Sequence, residues 1–184
     1  EAIIEKDIHD DKKRDKSKMT MLLKSLARNE STIASKNTLL KDIEQCANEK
    51  EIIESRITID DYLDGLNRLH ITENQSAYNE NYRSPERIGK SSKRHFTDPS
   101  LACACLDLTK DKLINDLKTF GFMFEALVER DLRIYMEYLG GKLYHFRDNV
   151  SGIEVDSILE FSDGEYAAIE IKLGYHEVEN AKKS

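Results

Sequence analysis

The sequence predicts a mixed α/β (α+β) protein, with a helical first half and a second half built as helix, three strands, helix. Three observations carry this expectation. Apolar residues recur at steps of three and four in Met19–Leu26, Leu39–Ile43 and Ile59–Leu66, which puts them on one face of each of three short helices. The run from Asp111 to Leu139 keeps that spacing through one long helix, or two joined near Gly121. GIEVDSILEF and EYAAIEIKL alternate apolar and polar residues on either side of Ser162-Asp163-Gly164, a hairpin turn signal.

Composition bounds the rest. With 184 residues, 39% of them hydrophobic, the chain can fill one core or two small ones. No apolar run approaches the ~20 residues of a membrane span, and EAIIEKDIHD lacks the basic start and apolar centre of a signal peptide. The expectation is a cytoplasmic protein with no membrane partner. Cys46, Cys103 and Cys105 are too few for a disulfide framework, and Cys103-Ala-Cys105 has no matching pair to complete a zinc site. Of 28 Lys+Arg and 35 Asp+Glu, residues 1–95 hold 18 and 18, so the remaining 10 and 17 place the whole net charge of −7 after residue 95.

Taken in order, EAIIEKDIHD reads as the tail of a helix and DDKKRDKSK as a solvated connection, so the chain is expected to begin in mid-protein. The helices from Met19 and after Ser35 follow, and the third carries Thr58 as its N-cap. HITENQSAYNENYRSPERIGKSSKRHFTD then holds two short strands, around Ile71 and His95. Helices followed by strand, loop and strand make a winged helix over residues 19–95. Arg83, Arg87, Lys90, Lys93 and Arg94 stand against Glu86 alone, a net +4 in twelve residues. Such a stretch suits contact with DNA phosphates or, alternatively, a flexible solvated loop. Gly89-Lys90-Ser91 imitates the end of a P-loop, but Ser84 stands where its first glycine belongs and no strand-to-helix turn surrounds it. No nucleotide is expected there.

In the second half, Leu117, Phe120, Phe124, Leu127, Ile134 and Tyr138 form the apolar stripe of the long helix, and Gly140-Gly141 ends it. KLYHFRD is a strand, the hairpin follows, and HEVENAKKS begins a last helix that is expected to be truncated. Alternation puts Glu154 and Asp156 on one face of their strand and Val155, Ser157 and Leu159 on the other. Glu170 and Lys172 share a face, opposite Ile169 and Ile171. Pairing of residues whose numbers sum to about 327 brings Asp156 near Ile171, beside Glu170 and Lys172. Glu125 lies on the apolar side of the helix with Gly121, Val128 and Leu132, while Glu129, Arg130, Arg133 and Glu137 form the wetter side. A carboxylate so placed takes a partner: a salt bridge to Lys172 or Arg147, or a metal. Asp156, Glu170 and the backbone carbonyl of Ile171 are hard oxygen donors suited to Mg²⁺ or Mn²⁺. Lys172 would orient or deprotonate a water, or stabilise charge on a phosphate. Arg147 suits a phosphate or a surface pair with Asp148, and His95 and His145 suit packing or surface roles.

Asp156 followed by Glu170-Ile171-Lys172 across a hairpin, with Glu125 on the preceding helix, resembles the PD-(D/E)XK nuclease superfamily. The resemblance implies that Asp156 and Glu170 are metal ligands, Lys172 the catalytic lysine and Glu125 the helical acid; Val155 replaces the proline usual before the first acid. KRHFTDPSL, GFMFEALVERDLRIY, YHFRDNVSGIEVDSILEF and EYAAIEIKLG are similar to the C-terminal region of a family of predicted prokaryotic AAA+ ATPases, in which a winged helix and a nuclease-like domain follow the ATPase module. EAIIEKDIH resembles the helix leaving that module. By this resemblance residues 1–18 end a linker helix, 19–95 form the winged helix and 96–184 the nuclease-like domain, and the chain is a fragment with the absent ATPase module, DNA and a second copy as partners. The expected function is metal-dependent phosphodiester hydrolysis on DNA. The alternative is a silent nuclease fold that docks or oligomerises an ATPase.

Overall fold

The computed structural model describes residues 15–46, 56–81, 83, 84, 91–148 and 151–174. The fold is mixed α/β. Its elements, among the described residues, are α1 (Lys16–Arg28), α2 (Lys36–Cys46), α3 (Arg56–Arg68), β1 (Thr72–Gln75), β2 (Lys93–Phe96), α4 (Pro99–Cys105), α5 (Lys110–Asn115), α6 (Leu117–Tyr138), β3 (Lys142–Arg147), β4 (Glu154–Glu160) and β5 (Tyr166–Ile169). The helices expected at each end of the chain, at 1–10 and after 175, lie outside the described residues, as do Arg87, Lys90 and Gly89 of the P-loop-like stretch.

The chain forms two compact units, each discontinuous: residues 1–73 with 94–108, and residues 74–93 with 109–184. The sequence predicts continuous segments with boundaries at 18/19 and 95/96. Strands β1 and β2 pair with each other, and the division between the units falls inside both.

In the first unit, Asp15 caps α1, its Oδ1 accepting from the N–H groups of Ser17 at 2.8 Å and Lys18 at 3.1 Å. Ser35 Oγ caps α2 by accepting from Thr38 N–H at 3.1 Å. Helix α3 begins at Arg56, two residues before the expected cap Thr58, which therefore lies within the helix. Met19, Leu22, Leu39, Ile59 and Leu66 are wholly buried, and α2 packs against both α1 and α3. Buried Glu30 accepts from Phe96 N–H at 3.1 Å and contacts His95 Nδ1 at 3.2 Å, which gives His95 a packing role.

In the second unit the break between helices falls at Asp116, not near Gly121. Asp116 has extended-side dihedrals (φ −124°, ψ 79°) and caps α6 by accepting from Thr119 N–H at 3.1 Å. The buried face of α6 is Met123, Ala126, Glu129 and Met136. Leu117, Leu127, Ile134 and Tyr138 of the expected stripe are exposed, Tyr138 by 91%. The buried side of α6, which packs on β3 and β4, thus consists of Met123, Ala126, Met136 and a partnered Glu129 in place of the expected stripe. After the helix, Gly140 (φ +70°) donates to Glu137 O at 3.2 Å and Gly141 N–H donates to Met136 O at 2.8 Å. This Schellman ending requires the left-handed residue that glycine supplies.

Strands β3, β4 and β5 form an antiparallel meander in that order. In the β4–β5 hairpin Ser157 faces Ile169 and Glu160 faces Tyr166, a register sum of 326, within the expected value of about 327. The turn is a three-residue loop centred on Asp163: Phe161 N–H donates to Glu165 O at 2.8 Å, with Gly164 at φ +88°. Between β3 and β4, Tyr144 faces Ile158 but Phe146 faces Val155. Asp156 and Ser157 thus stand together against His145, a β-bulge on β4. The bulge replaces the expected alternation, and Asp156, Ser157, Ile158 and Leu159 are all buried. Residues Ser76–Tyr78 run along the free edge of β3, with His145 N–H donating to Ser76 O at 3.0 Å and Tyr78 N–H to His145 O at 2.7 Å. Tyr78, Tyr144 and Ile158 form a small core there, with the two tyrosine rings 5.8 Å apart and edge to face.

The glycines give separable expectations in urea denaturation. Gly140→Ala forces a Cβ into positive φ and should cost about 1–2 kcal/mol. Gly141→Ala should cost more, because its Cβ would lie 2.8 Å from the Glu160 carbonyl oxygen. Gly121→Ala, inside α6 with nothing near the added carbon, should stabilise by roughly 0.5–1 kcal/mol.

Candidate functional site

Residues four apart on a helix share a face, and on α6 that places Glu125 and Glu129 together toward Lys93 of β2. Lys93 Nζ lies 2.8 Å from Glu129 Oε1 and is ion-paired with Glu125 Oε1 as well. Lys93 and Glu129 are buried, Glu129 to 1% exposure, and Glu125 is 15% exposed at its side chain. Ser157, turned inward by the bulge, donates its hydroxyl to Glu129 Oε1 at 3.4 Å.

Its bulge neighbour Asp156 faces the end of β5. Asp156 Oδ2 accepts from Ile171 N–H at 2.7 Å and lies 3.6 Å from Lys172 Nζ. Lys172 is also ion-paired with Glu170. Behind the strand, Gln75 Nε2 donates to the Asp156 carbonyl at 3.4 Å. The Glu125 and Lys93 group is electrostatically joined to this one, since both Asp156 and Lys172 act on Glu125. Four carboxylates (Glu125, Glu129, Asp156, Glu170) against two ammonium groups (Lys93, Lys172) leave a formal charge of −2 at full ionisation.

That imbalance is visible in the proton affinities. Burial pushes the Glu129 carboxyl up to about 7, although Lys93 draws it down, and Glu125 and Asp156 add to the rise. Glu125 is raised for the same first reason, burial, with Lys93 offsetting part of it. Burial lowers Lys93, but Glu129 and Glu125 outweigh it and the ammonium is held above its ordinary range. Lys172 is likewise raised, its burial outweighed by Glu170 and Asp156. Both lysines are cations in this arrangement.

The sequence-predicted residues are therefore brought together in part. Glu125, Asp156, Glu170, Ile171 and Lys172 belong to one unit and one cluster. Among the described residues no three His, Cys, Asp or Glu side chains stand within metal-ligand spacing of each other, and the expected donors are two carboxylates and the Ile171 carbonyl. Of the basic residues, Arg83 is exposed and Arg147 is exposed at 3.9 Å from Glu154. Arg94 is half-buried, donating from Nε to the Ala34 carbonyl at 2.7 Å. Lys93 lies not on a solvated loop but in a strand; burial and two glutamates remove it from any phosphate. Glu129 belongs not to the wetter side of α6 but to the cluster. Its spacing from Glu125 was the available signal. His145 is buried, with Nε2 at 3.2 Å from the Ser91 carbonyl.

Lys93→Met should cost about 3–5 kcal/mol in chemical denaturation, because it leaves buried Glu129 without its ion-pair partner and removes one of the two lysines that act on Glu125. The pH response follows from Glu129. Its folded-state pKa lies above its unfolded value of 4.5, so the folded state binds more protons between the two and stability falls as pH rises through that window. At 1.36 kcal/mol per pH unit, the loss from pH 4.5 to 8 is on the order of 3 kcal/mol. Denaturation midpoints across that range should show this component in the wild type and not in Glu129→Gln.

Residues 120–184 match the family described as Domain of unknown function (DUF4143), a domain found in AAA+ ATPase-associated proteins. That match contains Glu125, Glu129, Asp156, Glu170 and Lys172, whereas Lys93 lies in a different match. No curated protein matches the chain, and no solved structure matches it. Residues 1–112, more than half of the sequence, match a second model, and the chain belongs to the family described as Domain of unknown function (DUF8612).

Proposed function

We propose that the unit made of residues 74–93 and 109–184 is a metal-dependent, PD-(D/E)XK-like nuclease domain acting on DNA, carried in a chain associated with an AAA+ ATPase. The observation that carries this reading is the convergence of Glu125, Asp156, Glu170 and Lys172 on one cluster whose formal charge of −2 matches one divalent cation. Hard carboxylate oxygens favour Mg²⁺ or Mn²⁺, which Asp156, Glu170 and the Ile171 carbonyl would hold. A bound ion of this kind supplies Lewis acidity at a phosphoryl oxygen and a more acidic water. The protein's own groups do the rest. Asp156 is oriented by Ile171 N–H. Lys172, held protonated by Glu170 and Asp156, stabilises negative charge developing on the phosphate rather than removing a proton. Glu125, its proton affinity raised by burial, accepts a proton from the attacking water.

The order α1, α2, α3, β1, β2 supports a winged helix, which would hold the chain to DNA or to a partner protein. A docking role in place of cleavage is favoured by one observation: Ile134, Tyr135, Tyr138 and Leu139 leave the last turns of α6 apolar and exposed.

Titration calorimetry with Mn²⁺ should show binding by the wild type and none by Asp156→Ala; a wild-type protein that takes up no Mn²⁺ would end the nuclease reading. Plasmid DNA with Mg²⁺ should be cut by the wild type and at least about 100-fold more slowly by Lys172→Ala, the loss expected when one donor of transition-state stabilisation is removed.

A further inference from the structure

A cleft of about 580 Å³ opens beside the acid cluster, with Glu125 and Lys172 in its wall, a size within the range of small-molecule and cofactor sites. The rest of the lining is of two kinds. Leu117, Phe122 and Leu173 are apolar, and Lys118 adds a second cation beside Lys172. Gly121 also lines it. A carbon added to Gly121 meets no atom within 4 Å, so the missing side chain leaves that wall of the cleft open near the start of α6.

Resting on the nuclease reading above, we propose that this cleft binds one unstacked nucleotide of single-stranded DNA. The base lies against Phe122 and the apolar wall, and the phosphates meet Lys118 and Lys172. A duplex keeps its bases stacked and paired, and presents to a concave site only phosphate and groove edges; an apolar cleft with an aromatic wall is filled by a base that is out of the stack.

The test is fluorescence anisotropy with a labelled oligonucleotide, single-stranded and as its duplex, in EDTA so that nothing is cut. The single strand should bind at least about tenfold tighter than the duplex. Phe122→Ala should weaken it roughly 5- to 150-fold, the ~1–3 kcal/mol of one base stacked on an aromatic ring, and leave duplex binding unchanged. Gly121→Leu, which fills the cleft from a helical position with open space around it, should do the same without lowering the thermal midpoint, which guards against mere unfolding of the Phe122 variant. Equal or tighter duplex binding, no binding to either, or single-strand affinity indifferent to both substitutions overturns the proposal. Because binding is read without metal, a protein that fails to cut plasmid leaves this result intact. Conversely, a duplex-preferring protein that still cuts overturns the single-strand proposal alone.

Discussion

The second unit depends on one buried ammonium group shared by two carboxylates. Lys93 joins β2 to α6 through Glu125 and Glu129, and Glu129 continues the link to β4 through Ser157. Helix, edge segment and central strand thus meet at one polar point inside an otherwise apolar contact. Such a point is costly to form, since each charge gives up water, and its members are correspondingly intolerant of losing a partner. It also settles which side of α6 faces the sheet. Once Glu125 and Glu129 are committed to Lys93, Met123, Ala126 and Met136 follow onto the strands, and Ile134 and Tyr138 are left to solvent.

The bulge on β4 does for the strand what the ion pair does for the helix. By setting Asp156 and Ser157 against the single residue His145, it turns two consecutive polar side chains inward. One reaches Glu129 and the other reaches Ile171 N–H and Lys172. A regular strand would have sent one of the two to the opposite face. The two halves of the acid cluster are therefore connected through adjacent residues of one strand.

Much of this was legible in the sequence, and for identifiable reasons. The helices around Met19, Leu39 and Ile59 and the β4–β5 hairpin follow simple periods, and Gly140-Gly141 stops α6 as the paired glycines indicated. Asp156, Glu170 and Lys172 could be assembled because a hairpin converts sequence spacing directly into neighbours. The register sum of 326 falls within the expected value of about 327, and its final setting comes from the three-residue loop Ser162-Asp163-Gly164, in which Gly164 adopts positive φ. The break at Asp116 was hidden because a capping aspartate reads like any surface acid. Lys93 was assigned to DNA and Glu129 to solvent because charge counting carries no information on burial. Their pairing joins positions 36 residues apart, beyond the reach of any local pattern. The bulge left no mark on the alternating pattern at all.

The discontinuity of the two units gives the lysine a further significance. Residues 94–108 belong to the first unit and interrupt the second in sequence, so Lys93 and its glutamates are separated along the chain by a segment of the other unit. The cation is also written in the DUF8612 stretch and its acids in the DUF4143 stretch. A recombination event anywhere between residues 93 and 125 would separate them and pass on a helix with Glu125 and Glu129 unpaired by Lys93 and a formal cluster charge of −3 in place of −2. Without Lys93, the second stretch would hold that excess by keeping a proton on Glu129 or by taking another cation at the same point.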